Sequence, residues 1–242
     1  MEDIVDINTL FGPLPAASAD LAVDVLIERM QKHSVRAACT LSTLGLLLDP
    51  AVGNAATRAA CTEHPELLPV ATLNPRMYFG DAAQVTRLTG EGFRLIRFFP
   101  TEQGWPVDFA PFRALLHSLD EARLPIMVDV EEPGTITALT RVLEAYPAPV
   151  LLAGVDTTTL AEAVAALRLH TNWHLETSRL LAAGALKLVA ETLGAERLLL
   201  GTGAPSHPIA SALNAVQHAG LPEQARLQLL GANARRILNL AA

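Results

Sequence analysis

A short apolar run followed by a longer amphipathic stretch recurs eight times along the 242 residues of this chain. The apolar runs fall at 4–8, 35–41, 67–73, 93–99, 125–130, 149–153, 173–177 and 197–201. Each is too short for a helix and is rich in Val, Ile, Leu or aromatic residues, which marks a buried strand. The stretches between them have helical spacing, at about 18–33, 50–63, 81–89, 108–122, 135–145, 157–169, 178–193 and 208–219, with a final helix at 222–240. Ser18, Asp108 and Ser178 suit N-caps, where a side-chain oxygen accepts an orphan backbone N–H. Pro50, Pro208 and Pro222 suit first turns, where a missing N–H costs nothing. Gly90, Gly194 and Gly220 suit helix exits.

Strict β–α alternation demands a parallel sheet, and eight units in a chain of this length demand a closed (β/α)₈ TIM barrel of class α/β. One such domain spans residues 1–242 in this reading. Hydrophobic residues make up 50% of the chain. Strands covered on both faces need that richness, because continuous apolar runs replace alternation. The runner-up is an open doubly wound sheet. No Gly-x-Gly-x-x-Gly follows the first strand, which weakens its nucleotide-binding version.

Several function classes are excluded by composition. The net charge is −7 and the cations are dispersed, which disfavours nucleic acid and an anionic membrane surface. No apolar run approaches the ~18 residues of a membrane span. The opening Met-Glu-Asp lacks the basic start of a signal peptide. Cys39 and Cys61 read as reduced, packed thiols. A cytoplasmic protein is expected.

Read in order, the strand ends resemble the amidohydrolase-related family of metal-dependent hydrolases. Val5-Asp6-Ile7-Asn8-Thr9-Leu10-Phe11-Gly12 is similar to the family's Asp-x-His-x-His-x-Gly opening. Leu67 to Pro75 is similar to its third strand, Gly92 to Pro100 to its fourth and Leu124 to Asp129 to its fifth. Gly194 to Pro205 resembles its Arg-hydrophobic-Gly-Ser-Asp-x-Pro stretch, and Gly231 to Leu238 its terminal helix. The resemblance covers nearly the whole chain and implies the barrel and an ancestral hydrolase chemistry. It also implies a metal held by two first-strand histidines, one histidine each on the fifth and sixth strands, and an aspartate on the eighth. Here those positions carry Asn8, Leu10, Asp129, Gly154 or a neighbour, and Gly203. Leucine and glycine offer no ligand, and asparagine is a poor one for zinc. A degenerate member without metal or cofactor is therefore expected. The family's lactone hydrolases that work without metal are an imperfect precedent, since they largely keep the histidines and aspartate.

Barrel function lives at the C-terminal strand ends. Arg97 is the expected anchor for a ligand carboxylate, through its planar fork, or else the structural partner of Asp129. Asp129 or His207 would move a proton. Asn8, Asp6, Glu176 and Thr202 complete the expected ligand-binding set, with Asp6 and Asn8 on one strand face. His174, Glu176 and Ser178 share a face of the seventh strand. The leading reading is a non-catalytic or ligand-binding barrel for a small carboxylated molecule. The alternative is a metal-independent hydrolase or lyase acting on such a substrate or a lactone. A third reading is an oxygen-rich Mg²⁺ or Mn²⁺ site of Asp129, Asp156 and Glu176. The 10–17 connection is expected to form part of the rim, and a homodimer would deepen the pocket.

Overall fold

The computed structural model describes residues 3–14 and 21–240. Ser18 and residues 15–17 of the expected rim connection lie outside them. In chain order the strands are β1 (Ile4–Phe11), β2 (Val35–Ser42), β3 (Leu67–Pro69), β4 (Ala71–Thr72), β5 (Ile96–Phe98), β6 (Ile126–Asp129), β7 (Val150–Ala153), β8 (Trp173–Glu176) and β9 (Leu198–Leu199). The helices are α1 (Val23–Lys32), α2 (Leu44–Leu47), α3 (Pro50–Glu63), α4 (Ala83–Gly90), α5 (Pro100–Gln103), α6 (Ala110–Ala122), α7 (Thr135–Val142), α8 (Leu160–Leu169), α9 (Ala185–Leu193), α10 (Ile209–Gln217), α11 (Glu223–Leu227) and α12 (Asn233–Leu238).

All strand pairs are parallel, running β1-β2-β3 and then β4 through β9. β3 and β4 are two pieces of the third barrel strand, joined at Val70. The Val70 N–H donates to the Thr40 carbonyl at 2.9 Å, and the Ala71 N–H donates across to Leu95 at 3.0 Å. The last strand returns to the first. Ile7 N–H donates to the Leu200 carbonyl at 2.8 Å, Gly203 N–H to Asn8 at 2.9 Å and Leu10 N–H to Ala204 at 2.9 Å. These bonds close a single (β/α)₈ barrel without a free sheet edge.

Two apolar clusters follow from this geometry. The larger lies between strands and helices and includes Leu26, Ile96, Phe98, Phe112, Val128, Leu152, Trp173 and Leu198. Phe98, Trp105 and Phe112 meet at centroid distances of 4.9 to 6.2 Å, which locks α6 onto β5. Fully burying one such side chain contributes roughly 1.5–3 kcal/mol. The smaller cluster fills the barrel and includes Val5, Ile7, Cys39, Leu41, Val70, Leu95, Met127, Leu151 and Leu199.

Some expected boundaries move. α3 starts as foreseen at Pro50, with the Asp49 carboxylate capping the Ala51 and Val52 N–H groups. Asp108 does not cap α6, which begins after Phe109 with proline in its first turn. Ser178 does not cap α9, which begins after the left-handed Gly184. The expected final helix is broken by a π segment, Gln228–Ala232, between α11 and α12. There Gly231 presses on the Asp3 carbonyl, where a Cβ would sit only 2.0 Å away. Among the described residues, no helix is long and apolar enough to cross a membrane.

Candidate functional site

One layer above the apolar filling, the barrel interior turns polar. β5 raises Arg97 and β6 raises Asp129. These strands pair in register, so their tips are adjacent. Arg97 Nε and Nη2 donate to the two Asp129 carboxylate oxygens, each at 2.8 Å. This fork-on-fork contact is the strong, directional form of the ion pair. The third guanidinium nitrogen donates to Asn8 Oδ1 at 2.5 Å. The guanidinium carbon lies 4.7 Å from the Phe99 ring centroid, so an aromatic face supports it from the side. Burial pulls the Arg97 pKa down, but Asp129 more than offsets this and the net direction is up.

The network continues through Asn8. Its Nδ2 donates to Ser178 Oγ at 3.3 Å. Ser178 Oγ donates to Glu176 Oε1 at 2.7 Å, and the Ser178 N–H donates to Oε2 at 2.9 Å. Glu176 Oε1 also accepts the Gly154 N–H at 3.0 Å. An unbroken chain thus links Asp129, Arg97, Asn8, Ser178 and Glu176 across the mouth. Gly201 is needed where Glu176 crosses the last strand, because a Cβ there would lie 1.9 Å from Oε2.

Asp6 belongs to a different place, the seam between the first and last strands. Its Oδ1 accepts the Asn8 N–H at 3.0 Å and the Thr202 N–H at 3.1 Å, and its Oδ2 accepts the Thr202 hydroxyl. The expected shared face of Asp6 and Asn8 is interrupted by register shifts in the β1–β2 ladder, one of them between Asp6 and Thr9. Such an irregularity re-aims side chains. Among the described residues no cation bonds to Asp6, and burial pushes its carboxyl up to about 7.

Exposure sorts the expected site residues. Asp6 and Glu176 are 0% exposed and Thr202 1%, whereas Asn8, Arg97, Asp129 and Ser178 keep 5–7%. The polar atoms of Asp6, Glu176 and Thr202 meet internal partners. Asp129 has both oxygens on Arg97. His207 is exposed on the rim. Its ring covers Gly203, where a Cβ would lie 2.7 Å from His207 Cδ2 and 3.7 Å from Ser178 Cβ. His174 lies lower in the barrel, its Nδ1 3.1 Å from the Asn172 carbonyl. Burial, with the charges of Arg197 and Arg236, holds its pKa down at about 4. At the rim Arg179 holds Glu131 at 2.6 Å and Asp156 at 3.7 Å.

Ser178 is the member of the network that the expected ligand-binding set lacks. Its signal was the Glu176-x-Ser178 spacing, which puts both side chains on one face of a strand tip.

The donor set does not fit the divalent metal implied by the resemblance. Among the described residues, no three His, Cys, Asp or Glu side chains are grouped to hold an ion. The Asp129 oxygens and the Asn8 amide oxygen already face a guanidinium, whose charge would repel a dication.

No curated protein matches the sequence as a relative. Among solved structures, the chain is similar to a probable 2-pyrone-4,6-dicarboxylic acid hydrolase from Acinetobacter baumannii with citric acid bound. The TM-score is 0.78 and the identity 14%, over 98% of this chain and 100% of that one. It is similar to 5-carboxyvanillate decarboxylase from Sphingomonas paucimobilis, with a TM-score of 0.80 and 14% identity over all of both chains. It is also similar to 2,6-dihydroxybenzoate decarboxylase from Rhizobium, with a TM-score of 0.80 and 15% identity over 99% of each chain. At such identities these likenesses speak for the barrel alone. The family described as Amidohydrolase matches residues 49–240, and the chain belongs to that family.

Proposed function

We propose that the barrel mouth binds a small carboxylated molecule, without the divalent metal of the family's hydrolytic site. The carrying observation is the Arg97 guanidinium, clamped by Asp129 and Asn8 at the centre of the mouth. It is a built-in cation among residues that, by resemblance, replace the metal ligands. A guanidinium has five N–H donors. Three nitrogens each spend one N–H here, which leaves two N–H groups for a carboxylate. Because Asp129 and Asn8 hold the fork rigid, little side-chain freedom is lost when a ligand arrives. The relatives in structure named for pyrone dicarboxylic acid, carboxyvanillate and dihydroxybenzoate support a flat, carboxylated ligand class. By this reading the protein is a family member that has given up metal-dependent hydrolysis.

The test is calorimetric titration with 2,6-dihydroxybenzoate, citrate and an aromatic dicarboxylate, in the presence of a chelator. We expect saturable one-to-one binding of at least one of them. Arg97→Lys keeps the charge but loses the fork, and should weaken that binding at least tenfold while the chain stays folded. Absence of binding across the panel, or equal binding by the variant, would refute the assignment.

A further inference from the structure

We infer that Ser178 is a nucleophile, and that the mouth cleaves small carboxylated esters or lactones through an acyl-serine intermediate. The carboxylate's place rests on the function proposed above; the nucleophile does not. The juxtaposition is geometric. Ser178 Oγ–H points at Glu176 Oε1 at 2.7 Å, a distance at which a carboxylate takes a proton during attack. Glu176 is 0% exposed, so its contact with the reacting centre runs through Ser178. Its other contacts, the Gly154 and Ser178 N–H groups, fix its orientation. This is the arrangement of an activated hydroxyl, a nucleophile held by a base that is itself held by further groups.

Asn8 connects this pair to Arg97. Its amide oxygen meets the guanidinium and its amide nitrogen meets Ser178 Oγ at 3.3 Å. A substrate carboxylate on Arg97 would thus stand one amide group away from the nucleophile. The second Asn8 Nδ2 hydrogen is a donor for the oxygen on which negative charge develops. Opposite, the His207 ring packs directly on Gly203, where a side chain would strike the imidazole and come within 3.7 Å of Ser178 Cβ.

The step balances without a metal. Ser178 Oγ attacks the ester carbonyl carbon while its proton passes to Glu176. The tetrahedral intermediate collapses, the acyl–oxygen bond breaks, and the leaving oxygen takes its proton from solvent water, which leaves hydroxide. Hydroxide then attacks the acyl-serine. As the acid leaves, the Ser178 alkoxide takes back the proton that Glu176 has held.

The experiment uses the intact chain with a chelator present and two acetyl esters, p-nitrophenyl acetate, which is neutral, and 2-acetoxybenzoate, which carries the carboxylate. Acid-quenched protein is digested and analysed by mass spectrometry. We expect an acetyl group on the peptide carrying Ser178, and a pre-steady-state burst of nitrophenol. Ser178→Ala should lose both, and Glu176→Gln should slow acylation by about 10²-fold or more. If Ser178→Ala does not fold, acetyl placement in the unmodified chain decides. An acetyl group elsewhere, no burst, or an unchanged rate in folded Ser178→Ala would overturn the inference. The neutral ester acylates Ser178 without Arg97. Failure of carboxylate binding would therefore leave this proposal standing, and failure of acylation would leave the binding site standing.

Discussion

Two buried aspartates show how differently one barrel treats a carboxylate. Asp6, in the seam, has hydroxyl and N–H partners but no cation among the described residues, and burial pushes its carboxyl up to about 7. Asp129, in the mouth, has a guanidinium on both oxygens. Each carboxylate leaves water, and that loss is offset either by a counter-charge or by holding a proton. The seam aspartate knits two strands together. The mouth aspartate fixes the guanidinium of Arg97. The difference lies in what stands on the neighbouring strand.

The largest break in this comparison comes from removing the cation. Arg97→Ala should destabilise the fold by about 3–5 kcal/mol, because Asp129 is left buried and uncompensated. The double change Arg97→Ala/Asp129→Ala should recover part of that loss, which denaturant melts of all four proteins can measure. Simple additivity would mean that the pair is not coupled.

Crowding the other mouth carboxylate comes next. Gly201→Ala drives a methyl group into Glu176 and should cost about 1–3 kcal/mol. Its melting transition should fall well below that of Gly90→Ala, where the backbone is helical and a Cβ meets nothing within 4 Å. Both sites lie on the same barrel, so equal losses would show that Glu176 gives way freely.

The seam has its own pH signature. Unfolded aspartate titrates near ~3.9. Between there and about 7, the folded chain keeps a proton on Asp6 that the unfolded chain has lost. Stability due to this group is therefore full at low pH and falls as pH rises through that window, by at most about 1.4 kcal/mol per pH unit. Asp6→Asn stays neutral and should flatten that part of the stability–pH curve. An unchanged slope in the variant would place the titration elsewhere. The smallest effect belongs to the rim, where exposed His207→Ala should leave stability within about ±0.5 kcal/mol.

Much of this was legible in the chain. The eight runs and the helices between them follow from hydrophobic periodicity, and the Arg97–Asp129 pair follows from placing an acid and a base on adjacent strand tips. What escaped depends on geometry that periodicity does not carry. The register shifts in β1 separate Asp6 from Asn8 although their spacing says one face. Ser178, ahead of an apolar stretch, has the look of a helix cap, but the nearby Glu176 takes its hydrogens first. The burial of Asp6, Glu176 and Thr202 depends on barrel closure, a contact between the two ends of the chain.

One measurement decides whether Arg97 has taken the place of a metal. Protein purified from medium rich in zinc and manganese should be analysed for metal and titrated with the aromatic dicarboxylate, before and after chelation. If Arg97 replaces the metal, both samples carry well under one equivalent of metal and bind the carboxylate with the same affinity. Near-stoichiometric metal at the strand tips, with binding that disappears on chelation and returns with the ion, would contradict this replacement.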